Sequence, residues 1–291
     1  GIENLALGDM LGMPDYMNGV WYVSLLTIGA AYLAGKGGVF FVVGGYVCYW
    51  MLAPVLAASG LLPSAAQLAE MGYGSVTVAA RTQDKADTAV SELVERTGAD
   101  VFSTIAADVA SIESSRKAAA DLVGRGASFD VVLLNAGMVA SALDRTADGI
   151  EMSFAASLVG HHIITTELLD AGLLDDASVV LVGSEAANND LPKAMGMSVY
   201  DFALGGRSDF GSTPDEAMRN FATATAGPSF NGQRQYATVK VFSSWWSGAM
   251  ARRDGGNTRF YTVSPGANMG TNAARHTTGA FKVLIGVMSK V

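Results

Sequence analysis

Three side chains have the types and spacing that hydride chemistry on a carbonyl or other polarised double bond requires. Tyr236 and Lys240 are four positions apart, and Ser184 follows the hydrophobic run 178–183. Positions i and i+4 share one face of a helix. A phenol with a pKa of about 10 is a poor acid at neutral pH, and a nearby cation favours its ionised form. The spacing therefore predicts that Lys240 lowers the pKa of Tyr236, although an amphipathic surface helix produces the same pair by chance.

The elements around these residues alternate between strand and helix patterns, which predicts an α/β fold with a doubly wound, Rossmann-like parallel sheet. Ligands in such sheets bind beyond the carboxyl ends of the strands. The predicted strand ends carry Arg81, Asp108, Asn135 and Ser184. The predicted strands are 75–80, 101–107, 129–134 and 178–184, and the predicted helices between them are 82–96 and 112–123.

From about residue 74 to residue 275 the chain resembles the short-chain dehydrogenase/reductase superfamily. No single motif is specific, but their order along the chain is. The motifs are Asn135-Ala-Gly137, the segment 148–154 leading into Gly160-His161, the strand with Ser184, Tyr236 with Lys240, and Ser264-Pro-Gly266 with Thr271.

The resemblance implies a role for each matching residue. Tyr236 would be the proton donor, Ser184 would bind the substrate oxygen, and Lys240 would bind the nicotinamide ribose and lower the pKa of Tyr236. Ser157 stands where the family has a structural asparagine and joins the implied catalytic set. Arg81 resembles the arginine of NADP-preferring members, because a guanidinium can hold a 2′-phosphate. The implied cofactor-binding residues are Gly44, Gly45, Arg81, Asp108, Val109, Asn135, Ala136, Gly137, Lys240, Pro265, Gly266 and Thr271.

The long segment between Ser184 and Tyr236 narrows the resemblance. It predicts an insertion at 186–232, and with Phe230-Asn-Gly232 it looks like light-dependent protochlorophyllide oxidoreductase, with retinol dehydrogenases next. Both groups act on large apolar substrates and are membrane-associated. A long insertion beside a site is usually a lid or a partner surface, and a disordered loop is the alternative.

The family's glycine-rich turn, which lets backbone amides approach a pyrophosphate, is degenerate in this chain. One register uses 39–45 and keeps Gly44-Gly45. The other uses 54–62 and keeps Gly60. In both, bulky residues occupy positions where later glycines are expected, so NADP(H) is the expected cofactor but its binding is open.

The first 60 residues form an apolar segment, and 61–291 form the expected nucleotide-binding domain. No charged residue occurs in 16–35 or in 37–69, and about 20 apolar residues are enough to cross a bilayer. Residues 17–34 and 39–59 are therefore candidate spans, or a helical hairpin. Residues 39–43 are alternatively the buried first strand of the sheet, and the same residues cannot form both a strand and part of a membrane span. The expected location is a membrane, and a thylakoid or plastid membrane if the protochlorophyllide reductase resemblance holds.

Composition excludes several other classes. The net charge of −8 gives no basic footprint for nucleic acid, and the single Cys48 excludes an internal disulfide. Acidic residues without Lys or Arg before Tyr16 argue against a cleavable signal. His161 and His162 are adjacent and point in different directions on a helix, so no metal site is expected. Trp245-Trp246 is expected in core packing or an oligomer interface.

Two functions fit these observations. The first is a membrane-associated, NADP(H)-dependent oxidoreductase that transfers hydride to or from a bulky apolar carbonyl or tetrapyrrole-like substrate. The second is a catalytically silent accessory subunit derived from such an enzyme, in a membrane complex that the resemblance suggests is photosynthetic. The aligned Ser184, Tyr236 and Lys240 favour the first, and the degenerate turn with the apolar segment favours the second.

Overall fold

The computed structural model describes residues 61–187, 198–202 and 208–264, all within one compact unit, Val55–Val291. The strands that it describes are all parallel and form two groups. β1 (Val76–Ala80) pairs with β2 (Phe102–Ala106). β4 (Ser178–Val182) lies between β3 (Val131–Leu134) and β5 (Arg259–Val263). The predicted α/β alternation with a parallel sheet is confirmed.

Helices connect these strands. They are α1 (Leu61–Glu70), α2 (Gln83–Thr97), α3 (Ile112–Arg125), α4 (Met152–Phe154), the π-helical segment Ala155–Val159, α5 (Gly160–Asp170), a 3-10 turn (Glu185–Ala187), α6 (Pro214–Thr223) and α7 (Gly232–Asp254). Because α4, the π segment and α5 are continuous in sequence, we call them together the Ser157 helix.

Helices α2 and α3 begin and end at residues suited to those positions. Thr82 and Ser111 are the N-caps, and their hydroxyls accept the backbone N–H groups of Lys85 and Ser114. Gly98 and Gly126 end the helices in the left-handed conformation that glycine adopts without strain. These signals are local, and the predicted bounds agree with the structure to within about two residues.

The start of α1 differs from its prediction. The sequence predicts that Gly60-Leu-Leu-Pro63 breaks the apolar segment and that Ser64 caps a short helix to Met71, but α1 begins at Leu61. Proline is tolerated in the first turn of a helix because the first N–H groups have no partner within the helix. Pro63 is therefore part of the first turn and does not mark its boundary.

The hydrophobic core consists of a large and a small cluster of buried side chains. The large cluster surrounds β3 and β4 and includes the fully buried Val179, Leu181 and Phe221. The small one packs α1 against β1 and β2, with Ala66, Val78 and Leu93 as its most buried members.

Gly160 is where the Ser157 helix meets the loop after β2. A Cβ at this position would overlap the Val109 carbonyl oxygen and lie 2.6 Å from Val109 Cα and 2.7 Å from Ser115 Oγ. Only a residue without a side chain permits this approach. The close packing brings the end of β2 beside the middle of the Ser157 helix.

The described part of the insertion is packed into the core. Its helix α6 carries Phe221, which is fully buried, and a backbone segment before it carries Tyr200, Phe202 and Phe210. Their rings form edge-on and stacked contacts with each other and with Phe154 and Phe242, at centroid distances of 5.0–6.3 Å. The described insertion is therefore ordered by aromatic packing, each such pair contributing about 0.5–1.5 kcal/mol beyond burial.

Residues 1–60, which include both candidate spans, Cys48 and the alternative first strand 39–43, lie outside the described residues. In the part of the chain that is described, no helix combines the length and apolar character that crossing a membrane requires.

Candidate active site

Tyr236 and Ser184 meet at the carboxyl end of β4. Ser184 is the second residue after the strand, and its Oγ accepts the Ala186 N–H at 3.1 Å. Tyr236 lies in the first turns of α7, which packs against the 3-10 turn after Ser184. The Ser184 side chain is near enough to the Tyr236 phenol to lower its pKa. The structure thus brings together two residues of the predicted trio.

Helix α7 begins after an N-cap residue of a type that the sequence makes recognisable. Asn231 is its N-cap, and its side-chain oxygen accepts the N–H groups of Gln233 and Arg234 at 3.1 and 3.0 Å. A Cβ at Gly232 would lie 2.9 Å from the carbonyl carbon of Ala140, so the helix start lies directly on the loop after β3. This contact places Tyr236 close to that loop.

Lys240 completes the trio from the next turn of α7. Its Nζ lies 5.6 Å from the centroid of the Tyr236 ring and donates to the Val182 carbonyl at 2.6 Å. The side chain is 4% exposed, and burial lowers its pKa from 10.5 to about 8. A buried ammonium is costly, and the backbone carbonyl at the end of β4 partly offsets that cost.

The pKa of Tyr236 differs in direction from the sequence expectation. The spacing predicts that Lys240 lowers it, whereas burial raises it above 10, opposed by the nearby Ser184 side chain. The physical reason is that removing the phenol from water disfavours the phenolate more than its polar neighbours favour it. Tyr236 is therefore protonated at neutral pH but a poorer acid than a solvated phenol, so proton transfer from it requires stabilisation of the phenolate.

Ser157 and Gly137 lie next to the Lys240 ammonium group. Ser157 lies in the π-helical segment, is fully buried, and its Oγ accepts the Met138 N–H at 3.4 Å. A Cβ at Gly137 would be 3.2 Å from Ser157 Oγ and 3.5 Å from Lys240 Nζ. The predicted Ser157, Gly137 and Lys240 are therefore neighbours, and π segments within α-helices frequently mark functional sites.

His161, whose position beside His162 argues against a metal site, lies in the candidate active site. Its Nε2 lies 2.8 Å from the Ala136 carbonyl oxygen, which can only accept, so Nε2 carries the proton. The ring is 3% exposed, and burial lowers its pKa from 6.5 to about 4, with the charge of Lys240 acting in the same direction. His161 is one turn after Ser157, and that spacing is the signal that could have placed it here.

The residues predicted to meet the adenine half of the cofactor lie at the ends of β1 and β2. Arg81 follows β1 and its side chain is exposed. Asp108 is the second residue after β2, and its Oδ1 accepts the Ala110 N–H at 3.1 Å. Val109 contacts Gly160 through its backbone. Each lies at a carboxyl strand end, as predicted.

The Asn135-Ala-Gly137 segment follows β3 directly. Asn135 is partly buried, whereas Ala136 is exposed apart from the contact of its carbonyl with His161. The remaining predicted cofactor residues, Gly44, Gly45, Pro265, Gly266 and Thr271, lie outside the described residues and stay predictions.

The other side chains that invited assignment are packed away from this site. Trp246 Nε1 donates to His162 Nδ1 at 3.1 Å, and its ring meets Phe260 edge-on. Trp245 contacts Phe242 and is 45% exposed. Over the ranges that the structure describes, no three His, Cys, Asp or Glu side chains form a group that would hold a metal ion.

Comparison with known proteins agrees with this geometry. The family model for the short chain dehydrogenase matches residues 57–201. Protochlorophyllide reductase B, chloroplastic, from Oryza sativa subsp. japonica is 29% identical over 243 residues, which is 78% of this chain and 58% of that protein. Retinol dehydrogenase 13 from Homo sapiens is 31% identical over 107 residues, covering 37% of this chain and 32% of that protein.

A solved structure of an uncharacterized protein from Mycobacterium paratuberculosis has a TM-score of 0.51 and 21% identity, over 74% of this chain and 70% of that one. At that identity it supports the fold alone. The chain belongs to the short-chain dehydrogenase/reductase superfamily. It spans less than two thirds of the length of the curated relatives just named.

Proposed function

We propose that this protein is an NADP(H)-dependent oxidoreductase that reduces, or forms by oxidation, a bulky apolar carbonyl or tetrapyrrole-like substrate. The observation that carries the proposal is the convergence of the Ser184 side chain and the buried Lys240, whose Nζ lies 5.6 Å from the ring centroid, on Tyr236. Ser184 and the Tyr236–Lys240 pair come from two separate stretches of chain, and a structural core has no need to gather them at a strand end.

The residues present fit a nicotinamide dinucleotide. Gly137 leaves open the space beside Ser157 Oγ and Lys240 Nζ that a side chain would fill. Arg81 offers an exposed guanidinium at the end of β1, which suits a 2′-phosphate. When bound, the nicotinamide would supply or accept the hydride. Lys240 and Asn135-Ala-Gly137 would hold its ribose side, and Arg81 with Asp108 would hold its adenosine side.

The proton is the part of the reaction that the chain's own residues handle. Tyr236 carries its phenolic proton at neutral pH, and burial, which raises its pKa, makes that proton harder to release. The Ser184 hydroxyl accepts from Ala186 N–H, which leaves its own O–H to donate to the phenolic oxygen or to a substrate oxygen. As Tyr236 gives up its proton, this O–H and the nearby ammonium of Lys240 would stabilise the developing phenolate.

Sequence likeness supports the substrate class and the location. Two relatives are named for protochlorophyllide and retinol, which are a tetrapyrrole and a polyene alcohol. The charge-free runs in 17–34 and 39–59 support a membrane-bound protein, in a plastid or thylakoid membrane if the chloroplastic likeness extends to location. Subunits of a membrane complex are further partners under this proposal.

The test is a fluorescence titration of the purified full chain with NADPH, followed by a turnover assay with retinal and with protochlorophyllide in light. Saturable binding and NADPH oxidation with one substrate would support the proposal. Failure to bind at millimolar NADPH would overturn it.

The second candidate, a catalytically silent accessory subunit, is favoured by a specific contact. Lys240 Nζ already donates to Val182 at 2.6 Å and is buried, as in a structural lysine. The degenerate glycine turn points the same way. If NADPH does not bind while the protein remains in membranes after carbonate extraction, this function is the one supported.

A further inference from the structure

Glu151 is a carboxylate without any exposure at the start of the Ser157 helix. Its Oε1 accepts the Ser153 N–H at 2.9 Å, and its Oε2 accepts the Phe154 N–H at 2.9 Å. Burying a carboxylate is unfavourable unless several donors surround it. The helix cap supplies two of the donors.

A third donor comes from the residue that precedes Tyr236. Gln235 is 2% exposed, and its Nε2 donates to Glu151 Oε2 at 3.0 Å. The same amide group lies 3.5 Å from the Phe221 carbonyl oxygen at the end of α6. The backbone N–H of Glu151 donates to the Ala222 carbonyl at 2.7 Å. One buried acid therefore joins the Ser157 helix, the insertion and the first turn of α7.

The helix cap alone would not require a glutamate at position 151, because shorter side chains are preferred there. Asp, Asn, Ser and Thr are the preferred N-cap residues, since their short side chains reach the N–H groups of the second and third helical residues. Glu151 makes those two bonds and also reaches Gln235, for which its extra methylene is needed. The link to Gln235 is thus the feature that requires the longer side chain.

We propose that Glu151 is a positioning residue for Tyr236. Its bond to Gln235 fixes the first turn of α7, and with it the phenol beside Ser184, to the Ser157 helix. The backbone N–H of Glu151 holds the insertion through the Ala222 carbonyl. This role of Glu151 rests on the proposed function, in which Tyr236 is the proton donor. The link itself is testable without a cofactor or a substrate.

The test compares Glu151→Asp with Gln235→Met. Aspartate keeps the charge and the helix cap but does not reach Gln235, and methionine removes the amide while Glu151 keeps its cap. In protein labelled with ¹³C at tyrosine Cζ, the Tyr236 resonance is assigned by its loss in Tyr236→Phe. Both variants are expected to move that resonance in the same direction, and the double variant to move it no further than either one.

The control is Glu216→Gln, an exposed glutamate of α6 whose Oε2 accepts the Ser212 N–H at 2.8 Å. It should leave the Tyr236 resonance in place. If Glu151→Asp or Gln235→Met lowers the melting temperature but does not move the resonance, the role is structural only and the inference is wrong. Additive displacements in the double variant would also overturn it.

If the wild type turns over, both variants should lower kcat about tenfold with an unchanged KM for the cofactor, because a small displacement of a catalytic group costs rate more than binding. A wild type without turnover removes the proposed function and leaves the resonance test intact. An active wild type whose variants show neither effect removes this inference alone.

Discussion

The two strand groups of this protein bury their functional side chains to different extents. Around β3–β5, Ser157, His161 and Lys240 are at most 4% exposed and each has a hydrogen-bond partner, whereas Tyr236 and Ser184 are partly buried. At the ends of β1 and β2, Arg81 is exposed and Asp108 is only partly buried. Leu134 and Leu181 of the first group belong to the large core cluster, whereas the second group is divided, with Val78 of β1 in the small cluster and Ile105 of β2 in the large one.

The difference separates two physical tasks. Proton transfer needs groups held within a few tenths of an ångström in a site of low polarity, which only a well-packed core provides. Recognition of a charged ligand needs a charge that remains solvated until the ligand arrives. Variants in the β3–β5 group should therefore change rate or stability, and variants in the β1–β2 group should change binding.

The largest effect is expected for Tyr236→Phe. Losing the phenolic proton should lower kcat by roughly 10²–10⁴-fold, with little change in NADPH affinity. Steady-state kinetics and the fluorescence titration measure the two quantities. The matched control is Tyr261→Phe, since Tyr261 is 45% exposed on β5. Equal losses in both variants would refute the separate role of Tyr236.

The next largest effect is the response of stability to acid through His161. Its pKa is lowered from 6.5 to about 4, mainly by burial. Between those values the unfolded chain binds a proton that the folded protein does not, so the free energy of unfolding falls as pH drops from 6.5 to 4, by up to ~3 kcal/mol.

Urea unfolding at several pH values measures this response. His161→Gln keeps an N–H donor for the Ala136 carbonyl but does not titrate, so its stability should depend less on pH in that window. His162→Gln is the comparison variant: burial also lowers the pKa of His162, but its ring is partly exposed, so a smaller change in the pH dependence is expected. An unchanged pH dependence in His161→Gln would show that other groups cause it.

A smaller effect is expected at the junction of the two groups. Gly160→Ala should destabilise the fold by ~1–3 kcal/mol, because a Cβ would overlap the Val109 backbone. Gly124→Ala in α3 is the control: nothing lies within 4 Å of its Cβ, and alanine there should stabilise by ~0.5–1 kcal/mol. Thermal or urea denaturation measures the change in unfolding free energy for both variants. Changes of the same sign in the two variants would contradict the packing argument.

The smallest effect is expected at the exposed charge. Arg81→Glu should weaken NADPH binding roughly tenfold and leave NADH binding nearly unchanged, since the guanidinium would contact only the 2′-phosphate. Arg96→Glu, an equal charge change in the last turn of α2, should alter neither. Fluorescence titration with both cofactors decides, and parallel losses for NADPH and NADH would assign Arg81 another role.

Local signals in the sequence predict much of this structure. Thr82 and Gly98 bound α2, the run before Ser184 gives β4, and the i, i+4 spacing places Tyr236 and Lys240 on one helix face. The fold and the convergence of the trio follow from those signals and from the rule that parallel strands share a carboxyl edge.

What the sequence does not predict depends on burial and long-range contact. The raised pKa of Tyr236 arises from desolvation, which the spacing to Lys240 does not reveal. The partner of His161 is a carbonyl 25 positions earlier, and that of Glu151 is an amide 84 positions later. Pro63 reads as a helix breaker, yet the structure uses it in a first turn.

The aromatic packing of the insertion has a consequence for protein engineering. Phe221 presents its ring to Phe154, Phe202, Phe210 and Phe242 at centroid distances of 5.2–5.7 Å. Shortening this segment to obtain a smaller protein would expose apolar side chains of α7, including Phe242, that the insertion covers. The shortened protein would be expected to aggregate before it gained a wider substrate range.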